Sequence, residues 1–360
     1  MKRFWSVLAI GALALATLAF VALGNVIGPG GPPGGPPRVI LPPEPPQRVP
    51  DALDALLQDV DLGPPQSYRG LTIYPLRHRH LSTDFRPLTF DEALAKGVLD
   101  VREVDRGVVD SVEVNNRSDR YAFLMGGQIL SGARQDRMFR QDTILPPFSG
   151  WTRVGVYCVE KGRWTPVATG FGSKGQVVNP ALRQAAGASA PQETIWAGVD
   201  RKARELSVRQ LESRAFGHIY ADDRVQQDLA DYERNLEMLP LREMCGAVAV
   251  SGGGILGADL FFSEGLFEEL WPKLLRSYAL DAKRSGLGPV GERDRVLQFL
   301  RGALSDQARR QPLPTPGAGE LVSLTGSPTG GTALLFRDET VHAHLFPAVT
   351  ILPRPLLERR

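Results

Sequence analysis

Apolar residues run from Phe4 to about Leu23 without a charge, bracketed by Lys2 and Arg3 before and by Arg38 well after. About 20 apolar residues can cross a hydrocarbon core, whereas a secretory h-region needs only roughly 7 to 15. The positive pair ahead of the run predicts an N-terminus held in the cytoplasm and a chain delivered outside it. Residues 1–27 are therefore expected to be a signal peptide or an N-terminal membrane anchor. Ala22 and Gly24 would suit cleavage before Asn25, and the same pattern suits retention. Residues 28–50 are mostly Pro and Gly, which cannot build a core and predict an extended linker.

Beyond the linker the pattern first takes a period of two. Leu71 to Leu76 predicts a strand, after which Asp91 to Lys96 predicts a short helix. Val112 and Val114 alternate with polar residues, and Asn115 to Asp119 reads as the turn of a hairpin into Tyr121–Met125. Ile129 and Leu130, Met138 to Leu145 and Thr152 to Glu160 continue the series. Many short strands between turn signals predict an antiparallel β-sandwich or partial barrel over 68–168.

The period then lengthens. Val225, Leu229, Tyr232, Leu236 and Leu239 recur every three or four positions, as do Ile195, Trp196, Val199, Ala203 and Leu206. Leu266 to Tyr278 describes a third helix, with Ser263 as N-cap and Pro272 as a kink. Ala247–Ser251 and Ile255–Leu260 form a hairpin turned by Gly252, Gly253 and Gly254, and Leu321–Leu324, Thr332–Phe336 and Val341–Phe346 return to strand. The expectation is an α+β protein whose folded domain spans 51–355, β-rich over 68–168 and helical with hairpins over 180–346.

Composition removes some classes. A net charge of +2 makes no field that would gather nucleic acid, so no such partner is expected. Two cysteines, Cys158 and Cys245, could pair outside the cytoplasm; strand alternation places Cys158 with Val154 and Val156, which suits a buried thiol. Gly170, Gly172 and Gly175 have dinucleotide-loop spacing but no following helix, and Gly252 to Gly254 lack the Lys of a phosphate loop. No cofactor is expected. His78 with His80, and His342 with His344, would bind a metal only if the first and last strands were neighbours, so metal binding is a minor alternative.

The densest unusual polar set is Gln128, Arg134, Gln135, Arg137, Glu160, Arg163 and Trp164, with Asp136 among them. Arginine forks beside amides, carboxylates and an aromatic plate suit a planar anionic ligand. The competing reading is structural: Arg137 with Glu160, or Arg134 with Asp136, as ion pairs at strand ends. Glu160 and Asp259 are the only candidates for a general acid or base, and no catalytic motif supports an enzyme.

The succession Leu88–Gly97 (LTFDEALAKG), Val112–Asp119 (VEVNNRSD), Gly126–Arg137 (GGQILSGARQDR) and Val156–Trp164 (VYCVEKGRW) resembles a bacterial domain family. The family is named for its association with ADP-ribosylglycohydrolases and the rhodanese-phosphatase superfamily. Gly257–Leu260 (GADL) and Leu270–Ala282 (LWPKLLRSYALDA) extend the likeness over roughly 71–346. The resemblance implies a link to ADP-ribose or NAD metabolism and carries over no catalytic residues. Its members tend to carry an acidic residue where this chain reads Gly127 and Gln128. Three readings follow: an extracytoplasmic module binding a nucleotide-like or other phosphorylated ligand, an enzyme on an ADP-ribose-type substrate, or a membrane-tethered scaffold for a protein partner.

Overall fold

A computed structural model of the chain describes residues 51–81, 85–104, 109–163, 165, 170–236, 243–283, 292–305 and 308–348. The leader, the linker, Leu239 and Trp164 lie outside them. Asp51 caps the first helix, α1 (Ala52–Gln58), by accepting the Leu53 and Asp54 amides at 3.0 and 3.2 Å, while Asp54 accepts the Asp51 amide. The strands β1 (Val60–Leu62), β2 (Gln66–Tyr68), β3 (Leu71–His78) and β4 (Leu88–Thr89) follow. Thr89 and Glu92 then close a second capping box on α2 (Phe90–Ala95). Eight strands come next: β5 (Leu99–Glu103), β6 (Ser111–Asn116), β7 (Ala122–Leu124), β8 (Gln128–Gly132), β9 (Arg137–Phe139), β10 (Thr143–Leu145), β11 (Gly150–Cys158) and β12 (Phe171–Val177).

Four helices succeed them: α3 (Pro180–Gly187), α4 (Gln192–Glu205), α5 (Gly217–Ala221) and α6 (Asp223–Asn235). The hairpin β13 (Met244–Ser251) and β14 (Gly254–Leu260) turns at Gly252 and Gly253, both with positive φ. Ser263 caps α7 (Glu264–Ala279), a single helix that continues through Pro272. The chain ends in α8 (Glu292–Gly302), β15 (Arg309–Leu313), β16 (Glu320–Thr325), β17 (Thr329–Phe336) and β18 (Glu339–Pro347). The protein is thus α+β, as its change of period predicts.

Three sheets share these strands. Nine form one curled sheet in the order β1-β3-β13-β14-β18-β17-β16-β15, with β2 also on β3; six form β12-β8-β9-β11-β6-β5; and β10-β7-β4 is a small third sheet. The strand read first, β3, pairs with β13 from the second half, Leu76 opposite Gly246 and Leu71 opposite Ser251. One face of the large sheet is sealed by Leu53 and Leu56 of α1 with Val296 and Phe299 of α8. The other buries Leu71 and Ile73 with Leu229, Phe267, Trp271 and Tyr278, and the smaller sheets close over Phe90, Val112, Val154 and Val156. Among the described residues no helix is long and apolar enough to cross a membrane.

One expected pairing is corrected. The strands β6 and β7 do not form a hairpin: β6 lies between β11 and β5, whereas β7 lies between β10 and β4. The cause is Asn116, fully buried, whose amide donates to the carbonyls of Arg120 (2.7 Å) and Pro146 (2.9 Å) while its oxygen accepts from Ser118. That side chain routes the chain from one sheet into the next instead of folding it back. Met138 to Leu145 is likewise two strands in different sheets, β9 and β10.

Candidate functional site

The polar set singled out by sequence divides into three places. Gln135, Asp136, Glu160 and Arg163 form one knot. The Arg163 guanidinium meets Glu160 at 2.6 Å and Asp136 at 3.2 Å, the Asp136 amide donates to Glu160 Oε2 at 2.9 Å, and Gln135 Nε2 donates to the Glu160 carbonyl at 2.9 Å. Burial, with Glu160 beside it, pushes the Asp136 carboxyl above its usual range, although the Gly132 amide opposes this. Arg134 and Arg137 instead share Glu103, at 3.4 and 3.3 Å, so neither anticipated ion pair forms. Arg137 is buried and donates to the Val109 carbonyl. Beside the knot, His218 Nε2 lies 3.3 Å from Ser213 Oγ and its Nδ1 3.2 Å from Gln210.

Gln128 stands apart, buried, with its amide on Asp91 at 3.0 Å; Asp91 also pairs with Lys273, which ties α2 to α7. Gly127 sits at φ +86°, and a Cβ there would stand 2.6 Å from Arg183 Cγ. An acidic side chain at 127 would therefore collide with the arginine that holds the molecule's interior charge. At the neighbouring position, Gln128 keeps a buried side-chain oxygen without a partner.

That interior charge is a second assembly, of which the sequence reading singled out only Asp259, as a candidate acid or base, and His342, as a candidate metal ligand. Arg183 of α3 grips Asp259 of β14 with both terminal nitrogens, at 2.9 and 2.5 Å, and the Tyr278 hydroxyl donates to the same carboxylate. His342 lies between two carboxylates, Nδ1 at 2.7 Å from Asp142 and Nε2 at 2.9 Å from Asp259. A carboxylate only accepts, so both ring nitrogens must carry hydrogen and His342 is an imidazolium. Phe261 stacks on it at 4.4 Å, and Asp142 also accepts the Gly126 amide at 2.8 Å. Two cations then balance two anions in a site with almost no solvent access.

The titrations follow. Burial alone would lower the His342 pKa, but Asp142 and Asp259 outweigh it and raise it to about 9. Burial would raise Asp259, yet the charge of Arg183 and hydrogen bonds from His342 and Arg183 hold it well below the carboxylate range. An aspartate fixed as an anion inside the fold cannot supply or take up a proton near neutrality, so the general acid–base role considered for Asp259 is not supported. Neighbouring His344 is pushed down to about 3 by burial and by Arg183, and stays neutral.

The histidine pairs do not converge. Strands β13 and β14 lie between His78 on β3 and His342 and His344 on β18, and His80 falls beyond the end of β3. Among the described residues no group of three or more His, Cys, Asp or Glu side chains could hold a metal. Cys158 and Cys245 are both free and buried.

Lined by none of the sequence-predicted site residues, an open cleft of about 710 Å³ lies between the small sheet and the start of α7. Arg86, Arg120 and Arg337 line it with Phe85, Tyr121, Asp119, Ser263 and Glu269. Phe85, Tyr121 and Phe336 pack ring against ring at 5.1 to 5.7 Å, and the Arg337 guanidinium lies over Tyr121 and Phe336 at 5.3 and 5.0 Å. Arg120 donates to the Arg86 carbonyl at 2.5 Å, which fixes its reach along the wall. These residues come from 85–92, 119–121, 263–269 and 337, too scattered for any window of sequence to reveal. The one local signal was the aromatic–basic pairs Phe85–Arg86, Arg120–Tyr121 and Phe336–Arg337.

The protein-family model for the ARG and Rhodanese-Phosphatase-superfamily-associated Protein domain matches residues 59–346. No curated protein and no solved structure matches the chain.

Proposed function

The chain belongs to the ARG and Rhodanese-Phosphatase-superfamily-associated Protein domain family, and from that premise we propose that it is an extracytoplasmic binding module for a phosphorylated, planar ligand. The observation that carries the reading is the cleft: three arginines and an aromatic wall around about 710 Å³, within the range of small-molecule sites. Guanidinium forks suit phosphate oxygens, and the ring faces suit a base or another flat group. Asp119 and Glu269 offer acceptors for hydroxyl groups. An ADP-ribose or NAD-related ligand has all three features, which agrees with the association in the family's name. The extracytoplasmic setting rests on the charge-free run Phe4–Leu23 and the Pro/Gly linker.

Binding is favoured over catalysis because the Glu160 carboxylate is engaged by Arg163 and by the Asp136 amide, and Asp259 is sealed inside the fold. The test is a thermal-shift titration with ADP-ribose, NAD, simple nucleotides and sugar phosphates. A concentration-dependent rise in Tm that Arg120→Ala or Arg337→Ala removes would support it. No shift with any of these compounds, or a shift those substitutions leave intact, would overturn it.

A further inference from the structure

Four large hydrophobic side chains stand exposed among the described residues, and two of them, Phe148 (70%) and Trp151 (43%), share the tip between β10 and β11. This tip is held rather than loose. The Phe148 amide donates to the Ser118 carbonyl at 3.0 Å, the Ser149 amide donates to the Asn116 carbonyl at 3.1 Å, and Pro146 and Pro147 stiffen the approach. Trp151 is fixed opposite Asn115 in the ladder, with the Arg102 guanidinium 3.8 Å over its ring. Exposed arginines surround the pair: Arg102 and Arg117, each bridged to a carboxylate, Glu113 and Asp100, and Arg153 on the same strand face as Trp151.

We infer that the Phe148–Trp151 tip is a bilayer-docking element, which seats the aromatic rings at the lipid headgroup level with the arginines against the phosphates. Trp and Arg are the side chains that partition to this interface, since each has a flat apolar body and a polar edge. The inference rests on the proposed tether at the N-terminus. A linker over 28–50 reaches roughly 70 Å at about 3.1 Å per residue, so a bilayer is within range of any face of the domain. Tethering raises the local concentration of the surface, which lets two rings and a few arginines suffice where a free protein would need more. Ser118 joins this tip to Asp119, Arg120 and Tyr121 of the cleft, so docking would hold the cleft mouth beside the headgroups.

The test uses the full chain reconstituted in vesicles of phosphatidylcholine doped with phosphatidylglycerol. A fluorophore sensitive to polarity is placed at Phe148→Cys, and at Leu211→Cys as a second exposed site; the native cysteines are buried and stay unlabelled. The expected result is blue-shifted emission at 148 that nitroxide-bearing lipids quench, with water-like emission at 211. Water-like emission at 148, or equal shifts at both sites, would overturn docking and leave the tip as a surface for a protein partner. Resistance of the floated chain to alkaline extraction reports the tether alone. Failure there with a shifted label at 148 would remove the anchor and keep the docking tip.

Discussion

Arg183 and Arg337 have similar neighbours, an aspartate or aromatic ring within reach, and opposite solvents. Arg183 is sealed, with both ends of its fork on Asp259 and its charge balanced inside the fold. Arg337 lies over two rings at the rim of the open cleft. A buried charge must find its partner within the chain, because leaving it unpaired costs several kcal/mol. An exposed one can be left for a ligand at little cost. The difference separates residues that hold this protein together from those free to recognise something else, and it is a difference of burial rather than of residue type.

The largest effect is expected at the sealed end. Asp259→Ala strands Arg183 as an unpaired buried cation and leaves His342 with Asp142 alone, and should cost about 3–5 kcal/mol, read as a fall in the midpoint of urea unfolding. A loss below about 1 kcal/mol would show that the two cations do not need their partner. Gly127→Ala should follow closely, since its Cβ meets Arg183 at a positive φ. Arg137→Ala, buried on Glu103 and the Val109 carbonyl, is expected to lower stability by roughly 2–3 kcal/mol. An unchanged Tm with altered ligand affinity would return Arg137 to the ligand residues.

The pH dependence sharpens the same contrast. Unfolded His342 titrates near 6.5 and folded His342 at about 9. Its contribution is therefore complete below pH 6.5, declines as the unfolded chain gives up its proton, and is gone above about pH 9. His344 has the opposite sign: folded, it titrates at about 3, so stability falls as pH drops from 6.5 toward 3 and protons go to the unfolded chain. Urea midpoints from pH 4 to 10 should peak near 6.5, and His342→Gln should flatten the alkaline limb. The smallest stability effect belongs to the cleft. Arg337→Ala should change unfolding by less than about 0.5 kcal/mol, while weakening any phosphorylated ligand at least roughly tenfold by titration.

How far the chain could be read in advance depended on the range of the interaction. The helix at 90–95, the N-cap Ser263, the hairpin at Gly252 and the last three strands were legible, because capping, turn chemistry and periodicity act within a few residues. The expected hairpin after Val114 failed because Asn116 takes its acceptors from residue 120 and from residues 145 and 146, thirty positions on. Among the candidate ligand residues, the sequence set Asp136, Glu160 and Arg163 together with Gln128, Arg134 and Arg137, which the structure holds on Asp91 and Glu103 instead. It could not say that Arg163 is already satisfied by its own two carboxylates.

By itself, then, the sequence determined the α+β class, most of the local elements and the family, since each is written in neighbouring residues. Only the tertiary structure decided which strands became neighbours, that Asp142, Arg183, Asp259, Tyr278 and His342 close on one another away from water, and that Arg86, Arg120 and Arg337 meet at an open cleft. Those outcomes depend on contacts across 200 positions and more, and whether a charge ends inside or outside is settled by everything packed around it.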